Sequence, residues 1–282
     1  MTADDGEPQS ACNFCLVTLL ALCAAVVLLY KTSSVVRFYV KCFLYFNCII
    51  LAGTVGAILS LPNGRSTKNH FGMFKVFQWS CSFLGLRFIL RNKQYLDSDK
   101  AFIIIANHQS AVDVLGMSFC WPRNCVVMLK SSLKWLPGFN FCAYMCNAIW
   151  VNRFCKEKAH KAVDSTLDAI VKHERKVWIY PEGTRNPGKT MLPFKKGAFI
   201  LSMEAKVPIV CCVFSSHNFF YNYDEKRFDS GDCLVEFLPP VNPSNFKSVD
   251  DLSDHCRSLM VAKHDELNKE MRERLSNVDK DK

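Results

Sequence analysis

The sequence predicts an α/β protein in which hydrophobic N-terminal membrane helices precede a domain with a largely parallel sheet flanked by helices. Two uncharged runs of 20 residues lie near the N-terminus, at 11–30 and 42–61. Beyond residue 70, short β-rich runs alternate with amphipathic helical patterns, which is typical of parallel α/β sheets. The roughly 210 residues of this second part are enough for one well-buried core.

The two uncharged runs are predicted to anchor the chain in a membrane. Each matches the roughly 20 residues that a helix needs to cross the hydrocarbon core of a bilayer. Asp4, Asp5 and Glu7 precede the first run, where a cleaved signal peptide would carry basic residues. We therefore expect a retained anchor over residues 1–69, followed by one domain over residues 70–282.

The basic residues between the two runs bear on the membrane topology. Lys31, Arg37 and Lys41 lie there, and the positive-inside rule would place this short loop in the cytosol. Two full spans put the N-terminus and the following domain on one side of the membrane. One span plus a re-entrant or interfacial segment puts them on opposite sides, and the sequence leaves both arrangements open.

The elements of the domain follow from hydrophobic periodicity. A third apolar stretch, 71–90, is interrupted by Lys75 and Arg87, which indicates an interfacial or buried helix that leads into a strand. Strands are predicted at 86–90, 101–106, 124–129, 148–151, 176–180, 207–214 and 233–238. Helices are predicted at 156–175, 195–205 and 249–275.

The charge balance favours an acidic partner or surface. There are 35 Lys and Arg against 26 Asp and Glu, a formal net charge of +9. Nucleic acid and anionic lipid both fit such a charge. Because no zinc-finger, helix-turn-helix or RNP signature is present, we expect a lipid surface and not nucleic acid.

A histidine and a carboxylate follow the predicted strand 101–106, at the strand end where open α/β sheets carry their chemistry. In the run 107–113, His108 precedes Asp113 by five residues. An imidazole beside a carboxylate is a simple general base, because the carboxylate fixes the tautomer and stabilises the imidazolium. On one continuous helix, five residues would separate the two side chains by about 140°, so a helix that starts at Ser110 gives a better geometry.

The same residues also fit a purely structural motif. Ser110 and Asp113 have the spacing of a capping box, in which the carboxylate folds back toward the first turn of the helix. The two interpretations are compatible, since a carboxylate folded back in this way comes close to His108. A serine hydrolase at Ser110 would need a G-x-S-x-G elbow, which the sequence lacks. A metal site at His108 and Asp113 would need a third ligand at usable spacing, and none is present in the sequence.

A second polar loop follows the predicted strand 176–180. Gly183 would let backbone amides approach an anion, Thr184 offers a hydroxyl, and Arg185 offers a planar fork to phosphate. The structural alternative is a surface turn with an ion pair between Glu182 and Arg185, which would be worth little. Lys195, Lys196 and Gly197 come at the start of the next predicted helix and would strengthen an anion site.

These loops resemble the conserved blocks of the glycerolipid acyltransferases. The run 107–113, Asn-His-Gln-Ser-Ala-Val-Asp, is similar to their first motif, and 182–185, Glu-Gly-Thr-Arg, is similar to their third. The runs 130–133 and 148–153 resemble the second block and 207–210 the fourth, so four blocks occur in order over about residues 100–215. The residues that flank these blocks, together with the two hydrophobic segments, are most similar to those of animal 1-acylglycerol-3-phosphate acyltransferases.

The resemblance implies transfer of a fatty acyl group from acyl-CoA to the sn-2 hydroxyl of lysophosphatidic acid, which gives phosphatidic acid. It implies that His108 is the general base and that Asp113 orients it. It also implies a set of residues that bind substrate: Lys130, Arg153, Glu182, Gly183, Thr184 and Arg185. We expect no cofactor, since acyl-CoA acts as a co-substrate.

The resemblance also implies residence in the endoplasmic reticulum membrane as a multi-pass protein, with membrane lipids as partners. Two alternatives stay open at this point. One is an acyltransferase for another lysophospholipid or for glycerol 3-phosphate. The other is a membrane lipid-binding protein with a degenerate catalytic domain, against which the presence of His108, Asp113, Glu182 and Arg185 argues.

Overall fold

A seven-stranded sheet organises the chain in the computed structural model, which describes residues 7–136, 138–151, 156–188 and 190–280. In chain order the strands of these residues are β1 Leu86–Arg91, β2 Ile103–Ala106, β3 Cys125–Lys130, β4 Ile149–Val151, β5 Lys176–Ile179, β6 Ile209–Phe214, β7 Tyr221–Asn222, β8 Arg227–Phe228 and β9 Gly231–Phe237. The spatial order of the large sheet is β1-β9-β6-β2-β5-β3-β4, and β7 and β8 form a separate hairpin. Each of the seven predicted strands is present, and the predicted fold class is confirmed.

The direction of the strands positions the site. Neighbouring strands are parallel throughout the sheet except for β6 and β9, which are antiparallel. The five strands β6, β2, β5, β3 and β4 therefore have their carboxyl ends at one edge. In open α/β sheets this is the edge where loops collect functional side chains.

Helices cover both faces of the sheet, so its central strands are apolar on both sides. Successive residues alternate between two cores: Ile104 and Trp178 belong to one, and Ile103, Ile105 and Val177 to the other. The first core includes residues of α3 Asn69–Ser80 and α4 Asp113–Cys120, which follow the N-terminal helices α1 Glu7–Thr32 and α2 Ser34–Ser60. The second core includes residues of α6 Lys156–His173, α7 Gly197–Ala205 and α8 Val249–Lys280, and α5 Phe139–Met145 precedes these in the chain.

The helices agree with the periodicity of the sequence to within a few residues. α6, α7 and α8 lie where helices were predicted, and α3 is the predicted helix that leads into a strand. The short helix α5 was not predicted. Its seven residues complete fewer than two helical turns, which is too short for a clear period of 3.6.

The two N-terminal helices, α1 and α2, are both long and apolar enough to cross a membrane, by length and composition. The predicted basic loop between them is wrong, because Ser33 alone separates the helices. The hydroxyl of Ser33 accepts a hydrogen bond from the amide of Val36 at 3.3 Å, so a new helix starts at once. Arg37 and Lys41 consequently lie within α2, and Lys41 is buried.

Helix α2 packs on the domain along most of its length. Near its first third, the hydroxyl of Tyr45 donates to the carbonyl oxygen of Ala111 at 2.8 Å. Farther along, a Cβ on Gly53 would lie 3.0 Å from Cα of Phe139, so the two backbones are in close contact. One face of the second hydrophobic segment is therefore part of the same core as the sheet, and its other face is exposed, as is α1 over Asn13–Thr32.

Candidate active site

Loops at the carboxyl edge of the sheet bring most of the predicted site residues together. His108 follows β2, the run 182–185 follows β5, and Lys130 ends β3. Ser215 and His217 follow β6, which lies beside β2. Arg153, which was predicted to bind substrate, lies outside the described residues.

The predicted contact between His108 and Asp113 is confirmed. Nδ1 of His108 lies 2.6 Å from Oδ2 of Asp113, and the Asp113 side chain is fully buried. Helix α4 begins at Asp113, so His108 lies in a loop and the angular separation expected on a continuous helix does not arise. The loop turns the imidazole back onto the carboxylate.

Asp113 also stabilises the loop that carries His108. Its Oδ2 accepts hydrogen bonds from the amides of Gln109 at 2.8 Å and Ser110 at 2.9 Å. The expected helix start at Ser110 is wrong, because α4 begins at Asp113 and has no side-chain cap, but the carboxylate does fold back over the preceding loop as the pattern predicts. The two hydrogen bonds fix the carboxylate against the loop that carries His108.

The imidazole of His108 is held on a second side by an aromatic ring. It stacks on Tyr180 with 4.2 Å between the ring centroids and 23° between the planes. Burial raises the pKa of Tyr180 well above its usual value, so this phenol stays protonated. Since Asp113 engages Nδ1, Nε2 is the ring nitrogen that can exchange a proton with a substrate.

Glu182 joins the two predicted loops. The residue is 3% exposed, and its Oε1 accepts a hydrogen bond from the amide of His108 at 2.8 Å. Its Oε2 accepts from the amide of Leu192 at 2.9 Å. These contacts differ from both expectations for Glu182, the surface ion pair with Arg185 and the substrate contact. They favour a role in holding His108.

Gly183 permits the turn but its amide is already used. The backbone has φ of +71°, and a Cβ would lie 2.8 Å from the side chain of Lys195. The amide donates to the carbonyl oxygen of Tyr180 at 3.0 Å. The expectation that this amide holds a phosphate is therefore wrong, because the turn itself consumes the donor.

Thr184 and Arg185 are exposed beyond this turn, and their assignment to an anion stays a prediction. Arg185 lies near Tyr221: burial raises the pKa of Tyr221 to about 12, and the Arg185 charge opposes that rise. Lys130 is exposed at the end of β3. Lys196 differs from expectation, because its ammonium pairs with Asp250 of α8 at 2.7 Å.

The sequence interpretation missed three polar residues of the site. Asn107 exchanges two hydrogen bonds with the backbone of Phe214, at 3.0 and 2.9 Å, and so ties the loop to β6. Gln109 accepts from the amide of His217 at 3.0 Å. The rule that identified His108, a polar side chain just beyond a buried parallel strand, would also have identified His217.

Comparison with known proteins places this arrangement in a family. Residues 87–215 match the sequence model described as Acyltransferase. The chain is 57% identical over 246 residues to the putative 1-acyl-sn-glycerol-3-phosphate acyltransferase acl-1 of Caenorhabditis elegans, covering 87% of this chain and 94% of the relative. The chain belongs to the acyltransferase family.

More distant relatives of this acyltransferase share most of its length. The human 1-acyl-sn-glycerol-3-phosphate acyltransferase beta is 34% identical over 87% of this chain and 89% of its own. The Escherichia coli 1-acyl-sn-glycerol-3-phosphate acyltransferase is 33% identical over 80% and 92%. A crystal structure of the lysophosphatidic acid acyltransferase PlsC from Thermotoga maritima has the same fold, with a TM-score of 0.65 at 20% identity over 83% and 94% of the two chains.

The matched segment of this acyltransferase contains the central features of the site. His108, Asp113, Glu182 and Arg185 all fall within residues 87–215. His217 and helix α8 lie beyond the segment, although both reach the polar network behind the first loop.

Proposed function

We propose that this acyltransferase moves a fatty acyl group from acyl-CoA to the sn-2 hydroxyl of 1-acylglycerol-3-phosphate, giving phosphatidic acid in phospholipid biosynthesis. The observation that carries the proposal is the 2.6 Å contact between His108 and the buried carboxylate of Asp113. The exposed guanidinium of Arg185 on the adjacent loop supports an anionic acceptor. The names of the relatives support the same acceptor, 1-acyl-sn-glycerol 3-phosphate.

In the proposed mechanism His108 acts as a general base. Its Nε2 takes the proton of the sn-2 hydroxyl while the oxygen attacks the thioester carbonyl carbon. Asp113 stabilises the imidazolium that forms. The carbon–sulfur bond then breaks, and the leaving thiolate takes the proton from His108 and departs as the free thiol of CoA. The sequence of steps needs no covalent acyl-enzyme and no cofactor beyond the co-substrate acyl-CoA.

The acceptor phosphate is assigned to the second loop. A guanidinium binds phosphate through two directed hydrogen bonds, and Arg185 is exposed on a turn that Gly183 makes possible. Thr184, the residue before it, is also exposed and offers a hydroxyl. Lys130, at the end of β3, and Arg153 are proposed as further cations for the phosphate groups of the two substrates.

The lipid acceptor and the fatty acyl chain call for attachment to a membrane. Helices α1 and α2 have the length and composition for it. We propose that the enzyme is a multi-pass protein of the endoplasmic reticulum membrane, with membrane lipids around α1. Its net charge of +9 suits both anionic substrates and an anionic lipid surface.

The test is an acyl transfer assay on the purified full chain with a labelled acyl-CoA and a panel of acceptors. We expect lysophosphatidic acid to be preferred over glycerol 3-phosphate and over other lysophospholipids. His108→Ala should lower kcat by roughly 10²- to 10⁴-fold, which is the usual contribution of a general base. His173→Ala is the matched control, because that histidine is exposed at the end of α6.

Three results would contradict the proposal. If His108→Ala keeps more than about a tenth of wild-type kcat, His108 is not the general base. A preferred acceptor without the phosphate would overturn the substrate assignment. Binding of lysophosphatidic acid without any turnover in the wild-type chain would favour the lipid-binding alternative.

A further inference from the structure

A second histidine lies on the far side of the Asp113 carboxylate from His108; His108 and Asp113 together are called the dyad below. His217 follows β6, is 2% exposed, and its Nδ1 lies 3.5 Å from Oδ1 of Asp113. This is the carboxylate oxygen that makes no hydrogen bond within the described part of the chain. Asp113 is therefore flanked by two imidazoles, with His108 on Oδ2 and His217 facing Oδ1.

The position of His217 is fixed by hydrogen bonds on both sides. Its Nδ1 lies 2.8 Å from the hydroxyl of Ser110, in the loop of the dyad, and its amide donates to Gln109. The preceding residue, Ser216, donates its amide to Asn268 of α8 at 2.7 Å. The loop after β2 thus holds His217 against Asp113, and α8 fixes the backbone just before it.

Two of the surroundings of His217, the Asp113 carboxylate and the lack of a partner at Nε2 among the described residues, favour one tautomer. With a proton on Nδ1, the ring directs an N–H toward Ser110 and Asp113. With the proton on Nε2, Nδ1 could accept from the Ser110 hydroxyl, but its lone pair would also face the Asp113 carboxylate 3.5 Å away, which is repulsive. A buried N–H would also be left without an acceptor, since Nε2 has no hydrogen-bond partner among the described residues. Buried N–H groups without partners are rare because they are costly.

The surroundings keep this imidazole neutral. Burial lowers the pKa of His217, the carboxylate of Asp113 opposes this, and the nearby His108 adds to the lowering. His264 on α8 also faces this ring, and the two histidines interact electrostatically. A neutral ring with a directed N–H stabilises the Asp113 charge without adding a second cation beside His108.

We propose that His217 is a positioning residue of the dyad, which carries its proton on Nδ1 and holds the carboxylate of Asp113 for His108. The inference rests on the proposed roles of His108 and Asp113. Unlike a residue that only packs, such a positioning residue affects how tightly the dyad binds a proton. Without the N–H of His217, the charge on Asp113 is less well stabilised, so the pair formed by His108 and Asp113 binds its proton more tightly.

The experiment compares pH profiles of kcat/KM for the full-length wild type and three variants of His217. In His217→Phe we expect the acid limb to move up by about 0.5 to 1 pH unit, the size of a modest change in local charge stabilisation. In His217→Asn the amide nitrogen branches from the same carbon as Nδ1, so the limb should stay near its wild-type pH. His217→Gln carries the same amide one bond farther and should shift as the Phe variant does.

A second measurement uses the wild-type protein and does not depend on the folding of the variants. Nitrogen-15 NMR of histidine-labelled enzyme in lipid bilayers, assigned by comparison with His217→Asn, should show a protonated Nδ1 and a bare Nε2 at His217. The reverse tautomer would overturn the proposal, and so would acid limbs that coincide in the wild type and the Phe variant. Full activity of His108→Ala would instead refute the proposed function, while the tautomer would still be measurable.

Discussion

Asp113 holds His108 across a loop of only four intervening residues, with Oδ2 of the carboxylate 2.6 Å from Nδ1 of the imidazole. The same oxygen accepts the amides of Gln109 and Ser110, so one atom both shapes the loop and orients the ring. Although these two functions share an atom, a substitution that keeps the shape of the side chain and removes its charge can separate them. Asn in place of Asp113 is such a substitution.

Asp113→Asn should lower kcat by roughly 10²- to 10⁴-fold while the fold is kept. An amide oxygen can still accept the backbone bonds of the loop, but it carries no charge to stabilise the imidazolium. Because those bonds are kept, we expect the free energy of unfolding to fall by less than the roughly 1 kcal/mol that the loss of a helix cap costs. The measurement pairs steady-state kinetics with thermal unfolding in the same detergent.

Asp168→Asn is the matched control for that variant, because Asp168 forms an exposed i,i+4 pair with Lys172 on α6. Such a pair contributes little, and both kcat and Tm should stay near wild type. A preserved kcat in Asp113→Asn together with a lower Tm would show that Asp113 has only a structural role in the loop.

Glu182 is predicted to act through His108 and not on the substrate. Glu182→Gln places an amide NH2 against one of the two backbone amides that now donate to the carboxylate, at His108 and Leu192. The loss of a buried hydrogen bond to a charged group costs about 1.5 to 3 kcal/mol. We expect a lower Tm and a lower kcat, with KM for lysophosphatidic acid almost unchanged. A raised KM for lysophosphatidic acid at an unchanged Tm would indicate that Glu182 contacts the substrate.

The location of the site could be predicted from the sequence because it depends on short-range signals. Apolar runs at β2 and β5 are each followed at once by polar loops, and parallel strands bring their carboxyl ends to one edge. The capping pattern at Ser110 and Asp113 also fixed which way the carboxylate turns. These signals were sufficient to bring His108 and Asp113 together and to place Arg185 nearby.

Other features depend on particular hydrogen-bond or ionic partners that the pattern of residue types does not identify, whether those partners are near in sequence or far. Ser33 ends α1 and starts α2 with a hydroxyl cap, whereas the charges around it suggested a longer loop. The amide of Gly183 is consumed by Tyr180, and Lys196 is drawn to Asp250 across the fold. In each case the backbone conformation or an ionic partner decides where the group is directed, and the types of the neighbouring residues do not reveal this.

His70 is predicted to make the stability of the domain depend on pH. It is buried in α3 beside Trp121, and burial lowers its pKa to about 4 from 6.5. Between these values the unfolded chain binds a proton that the folded chain does not, so stability is lost as the pH falls from 6.5 to 4. A difference of about 2.5 pKa units corresponds to roughly 3 kcal/mol.

The measurement for His70 is Tm against pH in the wild type and in His70→Asn. The Asn amide can keep the hydrogen bond that His70 Nδ1 makes to the carbonyl oxygen of Thr67, at 3.1 Å, and it does not titrate in this range. We expect the decrease in Tm from pH 6.5 to 4 to be several degrees smaller in the variant. Parallel curves for the two proteins would show that His70 is not responsible.

Arg185 is predicted to recognise the phosphate of the acceptor and not the acyl-CoA. Its side chain is exposed on the turn after β5, next to the loop of His108, to which Asn186 is joined by a 2.8 Å backbone hydrogen bond. A phosphate held at this turn would lie near the imidazole that deprotonates the sn-2 hydroxyl. The substitution Arg185→Lys keeps the charge and removes the planar fork that gives two directed bonds.

Arg185→Lys should therefore raise KM for lysophosphatidic acid well above any change in KM for acyl-CoA. Loss of a charge-assisted hydrogen bond costs about 1.5 to 3 kcal/mol, or roughly 10- to 150-fold in binding, and the Lys variant should show part of that loss. Both KM values are measured on one preparation, beside Arg274→Lys on the exposed face of α8 as a control that should change neither. A raised KM for acyl-CoA with an unchanged acceptor KM would assign Arg185 to the acyl donor, because the charge would then be reading the phosphates of CoA.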